Sequence, residues 1–132
     1  MNVDHIGIAV RNLDAALKAY AAIGLRPTST EALPSEGVRI AFLPAGEAHL
    51  ELLEPLAADG TLAKFLENRG EGLHHIALAV DDIEAAMRRA QSAGLAVIDK
   101  VPRQGARGRR VAFIHPRSTG GVLLEFVENP RP

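Results

Sequence analysis

From Asp4 to Val10 the chain alternates as a strand does, with Ile6, Ile8 and Val10 on one face and His5, Gly7 and Ala9 on the other. Leu13, Ala16, Leu17 and Tyr20 then recur at helical spacing, with Asn12 placed as a cap and Gly24 as a stop. The same order returns at an offset of 70: Ile76, Leu78 and Val80 oppose His75, Ala77 and Ala79, and Ile83, Ala86, Met87 and Ala90 form a second helical stripe. An Asp81-x-x-Glu84 capping box is expected to open that helix and Gly94 to close it. After each helix come about three short β-like runs. They are punctuated by Pro34, Gly37 and Pro44-Ala45-Gly46 in the first half, and by Pro102, Gly105, Gly108, Pro116 and Gly120-Gly121 in the second. The pattern predicts βαβββ twice. Between the copies, Thr61 to Arg69 reads as a short linking helix with Leu62, Phe65 and Leu66 inward and Gly70 and Gly72 as breakers.

Residues 3–27 align without gaps on 73–97, and eight of the 25 pairs are identical, His5 with His75 among them. Further on, RIAFLP (39–44) mirrors RVAFIHP (110–116), and LELLEP (50–55) mirrors LEFVENP (124–130), which pairs Glu51 with Glu125. In both copies the histidine face carries only small neighbours, the pattern of a cavity wall, while the Ile and Leu face reads as core. Alternation sets Glu51 on a face with Leu53 and Glu125 with Val127, and a carboxylate beside apolar residues needs a partner. Two imidazoles and two carboxylates make a four-donor set for a divalent first-row ion, and an octahedron keeps two positions for oxygens of a substrate. These ligands alone do not distinguish zinc, cobalt, nickel and manganese. His49, His74 and His115 lack the paired logic and read as structural, and Glu54 and Glu128 read as solvated strand ends.

At 132 residues, 47% hydrophobic and 23% charged, the chain suits one compact domain built of two modules (about 1–56 and 73–130) around a linking helix at about 61–69. The absence of cysteine excludes disulfides, thiolate metal sites and a cysteine nucleophile. A net charge of −1 gives no overall attraction to nucleic acid or an anionic membrane, and no apolar run approaches the ~20 residues that span a bilayer. A cytoplasmic location is the expectation.

The duplication with strand His and Glu resembles the vicinal oxygen chelate superfamily, whose members include glyoxalase I, extradiol dioxygenases, antibiotic-resistance proteins and the methylmalonyl-CoA epimerases. The last of these families is similar over nearly the full length. The segments that carry the likeness are DHIGIAVRNLDAA (4–16), LELLEPL (50–56), KFLENRGEGLHHIALAVDDIEAA (64–86) and, most specifically, PRQGARGRRVAFIHPRSTGGVLLE (102–125). The resemblance implies an α+β fold, with two tandem βαβββ modules forming one incomplete, cup-shaped mixed β-barrel and the helices outside. It implies a metal held by His5, Glu51, His75 and Glu125, the same four that the duplication selects, with Co²⁺ expected first and Mn²⁺, Ni²⁺ or Zn²⁺ as alternatives. The implied reaction is epimerisation of (R)- and (S)-methylmalonyl-CoA by proton removal at C2 through a metal-stabilised enolate, with Glu125 as a proton-transfer group.

Some members of the epimerase family carry a second glutamate for proton transfer where this chain has Ile40, and Glu36 in the preceding turn is a possible substitute that also reads as a solvated residue. The CoA moiety calls for positive charge, densest at Lys100, Arg103, Arg107, Arg109 and Arg110 around Gly105, Ala106 and Gly108. Lys100, Arg107, Arg110, Arg117 and Ser118 are the expected substrate contacts, and Arg109 and Arg110 alternate to opposite faces. A homodimer is expected by analogy. The alternative activities are glyoxalase I, which a turn at 115–121 unlike its usual DPDG argues against, and a metal-free small-molecule-binding module of the same fold.

Overall fold

The computed structural model describes residues 1–129. Pro130, which closes the second copy of the repeat, lies outside the described residues. The elements in chain order are β1 (Asn2–Ala9), α1 (Leu13–Ala22), β2 (Ser29–Leu33), β3 (Val38–Ala45), β4 (Ala48–Pro55), α2 (Thr61–Arg69), β5 (Gly72–Ala79), α3 (Ile83–Ser92), β6 (Arg103–Gln104), β7 (Arg110–Ile114) and β8 (Leu124–Glu128). The α+β class and the doubled βαβββ order are those the periodicity predicts. The chain divides into two compact units, His5–His74 and Met1–Asp4 with the residues from His75 onward, so that β1 straddles the division.

In the His5–His74 unit the strands lie in the order β2-β3-β4-β1. β1 runs parallel to β4, and β2, β3 and β4 are successive antiparallel neighbours. Helix α1 lays Leu13, Ala16, Leu17 and Tyr20 on Ala41, Leu43 and Leu52, all of them at most 1% exposed on the sheet side. Each such fully covered aliphatic side chain contributes roughly 1.5–3 kcal/mol of hydrophobic stabilisation. Linking helix α2 buries Leu62 and Leu66, as its spacing predicts, and Phe65 meets the edge of His74 with ring centroids 4.8 Å apart.

In the second unit the order is β5-β8-β7-β6, with β5 parallel to β8. Ile83, Met87 and Ala90 of α3 pack on Ala112, Ile114 and Phe126. A smaller cluster of Ala77, Val111 and Val127 with Phe113 occupies the other face of the same strands. Asp4 joins this unit through Arg109, whose guanidinium donates to both oxygens of its carboxylate at 2.8 Å.

Two local expectations are corrected. The N-cap of α3 is Asp82, not Asp81: its side chain accepts from the Ala85 N–H, as the Asn12 side chain accepts from Ala15 in α1. Asn12 plus 70 is Asp82, so the repeat itself pointed to the right residue. Gly24 and Gly94 end their helices at φ +93° and +85°, a conformation glycine takes without steric cost. His5, Gly7 and Ala9 on the histidine face are buried, while on the other face Val10 is buried and half-buried Ile8 packs in the α1 core, as the alternation predicts. The second correction concerns Glu54 and Glu128, which are not solvated strand ends. Glu54 accepts from the Leu13 N–H at 2.7 Å and Glu128 from the Ile83 N–H at 2.8 Å, so each closes the start of its module's helix. Among the described residues no helix is long and apolar enough to cross a membrane.

Candidate functional site

Glu51 sits in the middle of β4, across from Gly7 on β1 and from Phe42 on β3. Residues directly opposite in a ladder share a face, so the carboxylate has a vacant glycine position on one side and an apolar ring on the other. Its Oε2 lies 3.1 Å from His5 Nδ1 and 2.9 Å from His49 Nε2. The two imidazoles stack at 5.2 Å because His5 and His49 are ladder partners. With His5 only 2% and Glu51 3% exposed, this is a polar cluster held out of water, where an uncompensated carboxylate is costly. His5, His49 and Glu51 converge closely enough to be candidate metal-binding groups.

The second unit carries a parallel arrangement. Glu125 on β8 stands across from Ala77 on β5 and Phe113 on β7, and its Oε1 is 3.3 Å from His75 Nε2. Phe113 meets the His75 ring edge-on at 5.9 Å. Imidazole nitrogen and carboxylate oxygen, buried together with no thiolate in the chain, are donor types that suit a first-row divalent ion, and each pair offers one of each.

His49 is the functional candidate that the sequence reading set aside. The signal was present: His49 and Glu51 are two apart on one strand, so alternation puts them on one face. His74 and His115 do behave as structural residues. His74 packs on Phe65, and His115 Nδ1 accepts from the Arg117 N–H.

The expected substrate contacts separate. Arg110 lies on the helix side of its sheet, bonded to both oxygens of Glu84 and, at 2.7 Å, to Glu128. Glu84 first and Glu128 second raise its pKa above the ordinary arginine value. Arg110 is thereby committed to the framework and taken out of the substrate group. Arg109, on the opposite face, is buried against Asp4. Arg103 bonds Asp99 at 2.8 Å and stacks over Phe113 at 5.0 Å. Lys100, Arg107 and Arg117 are exposed, and the hydroxyl of half-buried Ser118 accepts from the Ala96 N–H. Arg107 takes φ +60°, uncommon for a residue with a side chain, in the turn between Gly105 and Gly108. Glu36 ends the 3-10 turn Pro34–Glu36 and is half-buried, not solvated.

Residues 4–113 match the Glyoxalase/Bleomycin resistance protein/Dioxygenase superfamily. The chain is 42% identical over 127 residues to the uncharacterized protein YqjC of Bacillus subtilis, covering 96% of this chain and 91% of that one. It is 37% identical over 126 residues to the mitochondrial methylmalonyl-CoA epimerase of Homo sapiens, covering 94% and 72% respectively. Among solved structures, a variant of the Streptomyces coelicolor methylmalonyl-CoA epimerase in complex with 2-nitronate-propionyl-CoA is similar at TM-score 0.94 and 38% identity, over 98% of this chain and 94% of that one.

Proposed function

Because the chain belongs to the Glyoxalase/Bleomycin resistance protein/Dioxygenase superfamily, we propose that it is an epimerase interconverting (R)- and (S)-methylmalonyl-CoA by moving the proton on C2. The observation that carries this reading is the buried imidazole–carboxylate pair, present in both modules of a chain 37% and 38% identical to two methylmalonyl-CoA epimerases. In this reading His5, Glu51, His75 and Glu125 would hold a divalent ion, Co²⁺ first and Mn²⁺, Ni²⁺ or Zn²⁺ as alternatives. When bound, the ion supplies positive charge where negative charge develops on the thioester oxygen as C2 loses its proton. The Glu125 carboxylate moves that proton. Gly7 and Ala77 leave space beside the two glutamates, while Phe42 and Phe113 keep water from them. Lys100, Arg107 and Arg117 provide charge for the CoA phosphates and Ser118 a hydroxyl beside them. A nitronate is flat at its central carbon as an enolate is, so the analogue named with the Streptomyces enzyme supports a planar intermediate. A homodimer in the cytoplasm belongs to the same proposal and rests on the family resemblance.

Incubating the protein with one epimer in heavy water, with Co²⁺ or Mn²⁺ and after chelation, tests the reading. Deuterium gain at C2 with loss of optical purity, both abolished by the chelator, is expected. Neither change with metal added, or turnover of the methylglyoxal–glutathione adduct instead, would overturn it.

A further inference from the structure

We propose that His49 is a positioning residue that holds the Glu51 carboxylate through its Nε2–H and does not itself bind the ion, an inference that rests on the divalent ion proposed above. His49 Nε2 lies 2.9 Å from Glu51 Oε2. An ionised carboxylate can only accept, so the imidazole nitrogen that faces it is the one carrying the proton. A ring nitrogen that carries a proton has no lone pair to give a metal. His49 is thereby set apart from the donors and assigned to one of them.

The surroundings of Glu51 leave its orientation to a group on its own strand. Across the ladder stand Gly7, which has no side chain, and Phe42, whose ring has no polar atom. His5 Nδ1 is 3.1 Å from the same oxygen, but His5 belongs to the proposed donor set. His49 comes two residues before Glu51 on β4 and so shares its face. Its own ring is held in turn, stacked on that of its ladder partner His5 at 5.2 Å with 30° between the planes and set against Phe42 at 6.1 Å. With side-chain exposures of 13% for His49 and 4% for Glu51, the bond is largely shielded from water, where a donor on an ionised acceptor counts most. A glutamate fixed before its ligand arrives loses less side-chain freedom on binding, and the affinity rises accordingly. Leu123 occupies the matching place two residues before Glu125, so this clamp belongs to Glu51 and not to the carboxylate proposed to move a proton.

The test compares Co²⁺ binding by chelator-stripped wild type with that of His49→Gln, His49→Asn and His49→Leu, followed by visible absorption, with Tm as the folding check. A glutamine amide puts its N–H where Nε2 stands, an asparagine amide puts it where Nδ1 stands, and leucine has none. His49→Gln should stay within about 3-fold of the wild-type affinity and keep its Co²⁺ spectrum, while His49→Asn and His49→Leu weaken binding roughly 10–100-fold. Wild-type affinity in His49→Leu would overturn the proposal, since nothing would then depend on the donor. A loss in His49→Gln as large as that in His49→Asn would overturn it too, making His49 a ligand or a packing residue. Should His49→Leu fail to fold, the comparison of glutamine with asparagine decides alone. A wild type that binds no Co²⁺ would overturn the ion and the clamp together, whereas Co²⁺ binding without action on methylmalonyl-CoA would overturn only the proposed reaction.

Discussion

The two modules share a framework and diverge beside it. In each, the fourth strand carries a glutamate that meets a first-strand histidine, and three residues later a second glutamate that caps the module's helix. In each, an arginine opposite the capping glutamate pairs with it and with an acid in the helix's first turn. The residues are Arg39, Glu54 and Asp14 in one module and Arg110, Glu128 and Glu84 in the other. What is not duplicated is His49, whose counterpart two residues before Glu125 is Leu123, and the stretch of arginines and glycines ahead of β7. Repeated parts keep the fold and hold the paired imidazoles and carboxylates, and the unrepeated parts are what set the two modules apart. Arg110 belongs to the first kind, and its twin Arg39, in a module without a basic loop, is the reason.

The largest effect that separates the two kinds comes from the histidines. His75→Ala should abolish bound metal and activity while leaving a folded protein. His49→Ala, which removes a side chain that contacts Glu51, should weaken metal affinity roughly 10–100-fold without abolishing it. Metal titration with circular dichroism as a folding check measures both, and equal losses would make His49 a ligand of the same rank as His75. A smaller effect follows from the caps. Glu128→Ala should cost about 2 kcal/mol in denaturant unfolding and Glu54→Ala about 1. The ordering follows exposure, since the Glu128 side chain is 5% exposed and that of Glu54 is 22%. Glu54 proving the costlier loss would refute the ranking. The smallest effect concerns the basic residues. Arg107→Ala should raise KM for the CoA substrate several-fold and leave stability nearly unchanged, whereas Arg110→Ala should lower stability and leave KM in place. Because its carboxylate partners raise the Arg110 pKa, its charge persists throughout the ordinary pH range, and the stability difference should not depend on pH there.

Much of this was legible in the chain before any coordinates. The offset of 70 exposed the modules, and alternation identified both imidazole–carboxylate pairs from four residues spread over His5 to Glu125. Partnerships between distant strands were not legible. That Arg110 faces Glu128, that Glu31 faces Ile40 and that His5 faces His49 are facts of register, set by tertiary pairing and absent from local periodicity. The capping glutamates were misread for the same reason. Beside a proline at a strand end a carboxylate reads as solvated, and only the docked helix supplies the N–H that it accepts from.

The spacing of three between Glu51 and Glu54, and again between Glu125 and Glu128, has a consequence for folding fidelity. Odd spacing on a strand sends the two carboxylates to opposite faces, one toward the histidines and one toward the helix. A slip of one residue in the fourth strand would strip the helix of its cap and turn the donor away in the same stroke. A misaligned module would thus lose its helix cap and its buried imidazole–carboxylate pair together, so the native register is favoured on two counts at once.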